Sequence, residues 1–477
     1  MNFKGVVINP VNQKCSSLPL FSLRNQYSIT FHLAWLGFFV AFLSWFAFSP
    51  LIPDVIKQDL QLTSAQVGNS NVVSLCATLL VRVVAGPLVD RFGPRKVMAS
   101  LLILGAIPSG LAGTAHTANG LYIIRFFIGI LGGTFVTCQA WTTAFFDKNV
   151  IGTANALAAG WGNAGGGVTF VVMISLYNAL VSDGLKPHAA WRAAFAIVPV
   201  PILLVVAAAI LILGTDHPAG KWSDRHQVLT HRVDHRQDDL EKKEDLEDIQ
   251  VTVTPADPKM VSELDTAVNE SLTWELTSKV ISAPLTWLPA FAYLTTFGYE
   301  LAIDANLAAV LLSLYKSPTF GQTKSGYIAS IFGLLNVFTR PLGGYLGDLI
   351  YKKWGVPGKK HLMIFLGITQ GLLSVGLGLY IDNHHHPSMT VVIVLLVILA
   401  TACEAANGAN FSLVPHCNPC SNGFMSGIVG SMGNLGGIIF ALVFRFQPSP
   451  LGKAFWISGT IALGINVLLL PIRVPRV

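Results

Sequence analysis

Charge is scarce in this sequence. Only 12% of its 477 residues are Lys, Arg, Asp or Glu, about half the share in an ordinary soluble domain, and 23 of those charges fall between Asp216 and Lys279. A soluble multidomain enzyme is excluded by that shortage. Cysteine is equally uninformative as a framework: there are six, and Cys76, Cys138 and Cys403 lie inside apolar runs where a thiol packs as a small hydrophobe. No disulfide is expected. Cys417-Asn-Pro-Cys420 has a metal-type spacing, but no second Cys or His pair accompanies it, so neither a metal nor another cofactor is expected. The N-terminus has no short apolar core with a small-residue cleavage site, so no cleaved leader is expected. The net charge of +6 does not point to nucleic acid. The 216–279 stretch carries 8 basic and 15 acidic residues, which leaves the basic excess on the apolar remainder, where it marks a membrane or an anion.

Long apolar runs are what the chain does have. A helix needs about 20 mostly apolar residues to cross a bilayer, and twelve segments qualify: 29–49, 66–88, 97–116, 121–145, 152–180, 191–214, 282–312, 326–349, 361–381, 389–413, 422–444 and 454–471. The expected fold is an all-α membrane protein of two six-helix bundles, 29–214 and 282–471, joined by a loop over 215–281 and flanked by tails 1–28 and 472–477. Basic residues resist translocation. Arg91, Arg95 and Lys96, then Lys352, Lys353, Lys359 and Lys360, then Lys4, Lys14, Arg24, Arg473 and Arg476 all fall on one side. Both tails and the central loop are therefore expected in the cytoplasm, with DDLEKKEDLEDIQ as a solvated linker.

The two halves repeat each other at polar positions. Arg82-x-x-x-Gly86-x-x-x-Asp90 and Arg340-x-x-x-Gly344-x-x-x-Asp348 share one spacing at an offset of 258. Gly152, Gly162, Asn163, Gly165 and Gly166 match Gly423, Gly433, Asn434, Gly436 and Gly437 at an offset of 271. Two related bundles facing each other place a site near the membrane midplane, where they meet.

Arg82 and Arg340 each precede an aspartate at a helix end by eight residues, which puts them about 12 Å deep at roughly 1.5 Å per residue. An arginine there must face protein, water or a counter-ion. Intramembrane carboxylates are few, chiefly Glu300, Asp304 and Glu404, and none recurs at matching places in both halves, so anion binding is preferred to structural pairing. Two guanidinium forks, each able to give two parallel N–H bonds, suit a small planar oxyanion. Asn163 and Asn434 are expected to add N–H donors without charge. Gly162, Gly165, Gly166, Gly433, Gly436 and Gly437 are expected to let neighbouring helices approach and slide. Phe135 and Phe411 stand at similar places in spans four and ten and could sandwich a flat anion. Asp90, Arg91, Arg95 and Asp348 are expected to pair across the seam between the halves and hold a cytoplasmic gate.

The segment Gly86–Lys96 resembles the loop signature of the major facilitator superfamily. The runs 159–167 and 426–437 resemble the two signatures of its nitrate/nitrite porter family, with further similarity at 125–135 and 220–226. The fungal members with a long central loop resemble the chain most. The resemblance implies nitrate, with nitrite as a second substrate, bound between Arg82 and Arg340 with help from Asn163, Asn434 and Tyr293. It also implies alternating access, a plasma-membrane location and a monomer that needs only the lipid bilayer around it. One departure is Asp304-Ala305, where the family is expected to carry Asn-Ser. Importing an anion against a negative interior costs about 2.3 kcal/mol per charge per 100 mV, so uptake must be coupled. Proton symport is favoured by the resemblance, with Glu300, Asp304, Glu404 and His416 as titratable candidates, and exchange for nitrite is the alternative. A sensor, a membrane enzyme and a carrier of another oxyanion are the remaining readings. The first lacks a folded cytoplasmic module, the second lacks a cluster of reactive side chains, and the third is separated only by the family signature.

Overall fold

The computed structural model describes residues 5–9, 13–147, 150–226, 273–417 and 422–474. Most of the charged central stretch, both ends of the chain and Cys420 lie outside the described residues. The described chain is helical, and its only β contacts are isolated bridges. Twelve long helices run in order: α1 Gln26–Trp45, α2 Ser64–Phe92, α3 Pro94–Gly110, α4 Ala118–Phe145, α5 Ile151–Ser182, α6 Pro187–Leu213, α7 Pro284–Tyr315, α8 over 322–354, α9 over 356–383, α10 Met389–Cys417, α11 Asn422–Phe446 and α12 Lys453–Leu468. They follow the twelve apolar runs closely.

The helix ends are set locally. Asn25 caps α1 by accepting from the Ser28 N–H. Thr63 and Gln66 make a reciprocal capping box at α2. Pro94, Pro187 and Pro284 open α3, α6 and α7 at a position where the missing N–H costs nothing. Between α2 and α3, Gly93 has φ +89°, and between α8 and α9, Gly355 has φ 63°; these left-handed glycines let the chain reverse without a loop. Outward faces carry Val84, Ile107, Ile212, Phe338, Phe365 and Ile398 exposed. Exposed apolar surface on helices of this length suits a hydrocarbon solvent.

The repeat in the sequence becomes a repeat of contacts. Gly86 of α2 abuts Gly423 and Phe424 of α11, and Gly344 of α8 abuts Gly152 of α5. A Cβ built on Gly86 would lie 2.9 Å from the Gly423 carbonyl, so only glycine allows this approach. The α2–α11 and α5–α8 seams thus hold the halves together. Contact continues to both ends. At the end carrying the basic connectors, Asp348 accepts from the Thr153 N–H and hydroxyl, each at 2.7 Å. At the opposite end Arg445 donates to the Ala65 carbonyl at 3.1 Å and to Asn69 at 3.3 Å, and Gln322 accepts from the Val55 N–H at 3.2 Å. The halves therefore touch at both ends, and at the end opposite the basic connectors the Arg445 contact borders a cleft of about 600 Å³ between them, lined by Asp54, Lys57, Gly68, Asn306, Lys316 and Arg445.

Two segments read as tail and linker are packed onto the bundle. Cys15 and Leu18 are buried. The Cys15 N–H donates to Phe145, the Asp147 N–H donates to Cys15, and Asn9 donates to the Asp147 carboxylate. After α6, the Trp222 indole donates to the Asp90 carbonyl at 2.9 Å, and Asp216 pairs with Arg95 at 3.3 Å.

Candidate functional site

The two repeat arginines meet at the centre of the molecule, both fully buried. Arg82 donates through Nε to the Gly132 carbonyl at 2.8 Å and through Nη1 to the Gly430 carbonyl at 3.0 Å. Among the described residues its Nη2 has no partner. Arg340 donates through Nη2 to the Tyr293 hydroxyl at 2.7 Å, and among the described residues its Nε and Nη1 have no partner. Among the described residues neither guanidinium makes an ion pair with a carboxylate. Burying an unpaired cation costs several kcal/mol even after relaxation, and backbone carbonyls and ring faces offset only part of that.

The rings come from α4, α7 and α10. The Arg82 guanidinium carbon lies 4.8 Å from the Phe135 centroid and 5.0 Å from that of Phe297; for Arg340 the corresponding distances are 5.7 and 5.6 Å. Tyr293 and Phe297, one turn apart on α7, stack at 4.7 Å and 5°. Phe135 meets Phe411 edge-on at 4.9 Å and 88°. The structure therefore brings Phe135, Phe411 and Tyr293 together with both arginines and adds Phe297, but the Phe135 and Phe411 rings are perpendicular, so they do not form a parallel sandwich. The glycines make room for this cluster. A Cβ on Gly433 would lie 2.7 Å from the Tyr293 ring, one on Gly436 would strike the Leu294 backbone, and one on Gly437 would lie 3.2 Å from Leu301. In the other half Gly162 and Gly165 seat α5 on Phe38 and Phe39 of α1, whereas Gly166 has no neighbour nearer than 3.7 Å.

The asparagines do something other than expected. Asn434 donates to the Gly430 carbonyl of its own helix, the same oxygen that receives Arg82. Asn163 reaches across the seam and donates to Glu300. Asn336 and Asn407 donate to the same carboxylate at 2.7 and 2.6 Å. Thr339 donates to Glu404, whose second oxygen has no partner. Asp304 lies one turn beyond Glu300, also buried. Phe297, Asn336, Asn407 and Thr339 were not singled out in the sequence. Helical spacing was the available signal: Asn336 is four residues before Arg340, Asn407 three after Glu404, and Phe297 four after Tyr293.

At the basic end the pairing is narrower than anticipated. Asp348 bonds Thr153 of the other half and Lys359 of its own at 3.1 Å, and its carboxylate lies over the first turn of α5, where a negative charge is stabilised. Asp90 occupies the equivalent place, so that a Cβ on Gly423 would collide with its carboxylate. Among the described residues Arg91 and Arg95 make no contact across the seam. Arg91 is exposed over Phe92, and Arg95 is tied to the Leu211 and Gly214 carbonyls and to Asp216, all in its own half. His416 is at this end as well, 3.2 Å from the Lys359 ammonium and 4.9 Å from the Tyr351 ring, apart from the arginine cluster.

This arrangement can be set beside known proteins. Residues 34–475 match the Major Facilitator Superfamily model. The chain is 31% identical over 454 residues to Nitrate transporter 2.2 of Chlamydomonas reinhardtii, covering 95% of this chain and 77% of that one. It is 26% identical to the Nitrate/nitrite transporter NrtP of Nostoc punctiforme, covering 90% and 89%. Its fold is that of the human organic anion transporter MFSD10, with a TM-score of 0.55 and 16% identity over 94% of this chain and 100% of that one. Two six-helix halves and a buried pair of arginines at their junction are thus carried by a chain that belongs to the major facilitator superfamily, in the family of its nitrate transporters.

Proposed function

We propose that the protein is a secondary transporter that carries nitrate, and nitrite as a second substrate, across the plasma membrane, with the anion held between Arg82 and Arg340. The observation that carries this reading is the pair of buried guanidiniums with three unpartnered N–H-bearing atoms between them and no carboxylate partner among the described residues. An oxyanion supplies both the missing acceptors and the missing negative charge. A planar ion with three oxygens can accept from both guanidiniums at once. Tyr293 orients Arg340 and offers its own hydroxyl proton, while the Phe135, Phe297 and Phe411 rings keep water out and strengthen each hydrogen bond in the dry site. Asn434 holds the Gly430 carbonyl against Arg82. The nitrate transporters among its relatives support the choice of anion.

Access alternates. Breaking the Asp348–Thr153 contact with its Asp90 counterpart opens the basic end, which we assign to the cytoplasm together with both tails; breaking the Arg445 and Gln322 contacts opens the other. Each half keeps its own glycine-packed core during the change, so a single copy suffices. Uptake is coupled to protons, with Glu300, Asp304 and Glu404 beside the site and His416 at the inner end as the titratable groups. Radiolabelled nitrate uptake into proteoliposomes under an inward proton gradient, with the interior empty or loaded with nitrite, tests this. Accumulation in empty vesicles is expected. Uptake only into nitrite-loaded vesicles would make the protein an exchanger, and none in either would remove nitrate as its substrate.

A further inference from the structure

Three side chains from both halves converge on one carboxylate. Glu300 receives the amide N–H groups of Asn163 from α5, Asn336 from α8 and Asn407 from α10. Glu300 and the three asparagines are at least 98% buried, and among the described residues the Oδ1 atoms of all three amides are without partners. Beside them the unpartnered Glu404 Oε1 and the Thr339 hydroxyl add two more oxygens. Buried polar atoms left unpaired at this density are costly, and here they are all oxygens. Amide oxygen and nitrogen exchange places by a half-turn about one bond, and the two orientations look alike. That rotation presents three neutral oxygens to whatever sits on the Glu300 carboxylate.

We propose that Glu300 and the amide oxygens of Asn163, Asn336 and Asn407 form a binding site for one monovalent cation, H+ or Na+, which travels with the anion. A proton adds to the Glu300 carboxylate and the new O–H donates to one rotated amide; a sodium ion is held by the carboxylate and the amide oxygens, the hard ligands such ions require. The proposal rests on the transport reading and gives it a mechanism of coupling. Tyr293, Phe297, Glu300 and Asp304 recur at intervals of four, three and four residues, so they share one face of α7. The cation site therefore lies about 10 Å along that face from Tyr293, at roughly 1.5 Å per residue. The charged and titratable groups facing Glu300 are Arg340 on α8, Asp304 and Tyr293 on α7, and Glu404 and Cys403 on α10. Arg340 supports the Glu300 charge and is also the anion's ligand. An anion that draws on the Arg340 field leaves Glu300 needing another positive partner, and a cation on Glu300 frees Arg340 for the anion. That coupling is reciprocal by thermodynamic necessity. Asn163 is the member from the other half, so loading the site also changes a contact between the halves.

The test uses the full chain in proteoliposomes and compares nitrate accumulation driven by an inward proton gradient, or by an inward sodium gradient at fixed pH, with gradient-free counterflow of labelled nitrate. One of the two gradients is expected to drive accumulation in the wild type. Glu300→Gln is expected to lose at least tenfold of that accumulation while still exchanging nitrate. Accumulation by Glu300→Gln at the wild-type level would overturn the cation site, as would wild-type counterflow that neither gradient can drive uphill. Absence of counterflow in the wild type would instead overturn the transport reading. Should Glu300→Gln fail to fold, Asn336→Ala and Asn407→Ala are each expected to shift the half-saturating cation concentration at least threefold, and an unchanged midpoint in both would refute the proposal.

Discussion

Arg82 and Arg340 share a position in the repeat but not an environment. Arg82 is held by two backbone carbonyls contributed by opposite halves, Gly132 and Gly430, whereas Arg340 is held by one phenol and leaves two nitrogens free. Lysine puts all its donors on one nitrogen rather than on a rigid plane of three, so it cannot span carbonyls of opposite halves and the anion as the guanidinium does. Arg82→Lys and Arg340→Lys are each expected to leave less than about 1% of wild-type uptake, a loss of roughly 2.7 kcal/mol or more, with normal amounts of protein in the membrane. Tyr293→Phe removes the hydroxyl that accepts from Arg340 and donates to the anion, two hydrogen bonds of about 0.5–1.5 kcal/mol each; its KM for nitrate is expected to rise about five- to hundredfold while its maximal rate stays within a few-fold of wild type. A KM unaltered by Tyr293→Phe would show that the hydroxyl does not act on the anion.

Glycine decides how the helices meet, and its positions differ in what they tolerate. A Cβ on Gly436 would collide with the backbone of Leu294, which cannot swing aside, whereas Gly166 has nothing nearer than 3.7 Å. Gly436→Ala is therefore expected to lower the thermal midpoint of the purified protein, with an overpacking cost of about 1–3 kcal/mol, and Gly166→Ala to leave it nearly unchanged. Equal midpoints for the two variants would contradict the packing described for α7 and α11. The sequence made most of this legible. Apolar runs marked the twelve helices, and the shared Arg, Gly and Asp spacing marked which helices face each other, because a repeat of polar residues in a membrane has few causes other than a shared site. Asn163 and Asn434 were misleading for the same reason. They match in sequence, but Glu300 has no counterpart in the other half, so one asparagine crosses the seam to a carboxylate and the other turns back to its own helix. The folding of residues 5–9 and 13–25 against the α4–α5 connector left no periodic pattern to read, since it is built from backbone bonds and single side chains such as Cys15 and Asn9.

In the whole molecule the halves touch at both ends, and the two sets of contacts are unequal in chemistry. The basic end uses a buried carboxylate over the first turn of α5, braced by Lys359, while the opposite end uses Arg445 on backbone and amide oxygens. Asp348→Asn removes the ion pair and the charge facing the helix terminus, each worth about 0.3–3 kcal/mol. It is expected to favour the conformer open at the basic end, read as faster labelling of a cysteine placed at Ala156 by a membrane-impermeant reagent applied from that side. Unchanged labelling would show that this contact does not hold the closed state. The central claim is that one anion is shared by two arginines from opposite halves. Counterflow of labelled nitrate into nitrate-loaded proteoliposomes tests it without any driving gradient, in wild type, Arg82→Lys and Arg340→Lys side by side. Saturable exchange in the wild type and almost none in either variant is the expected result; wild-type exchange in either variant would contradict the shared site.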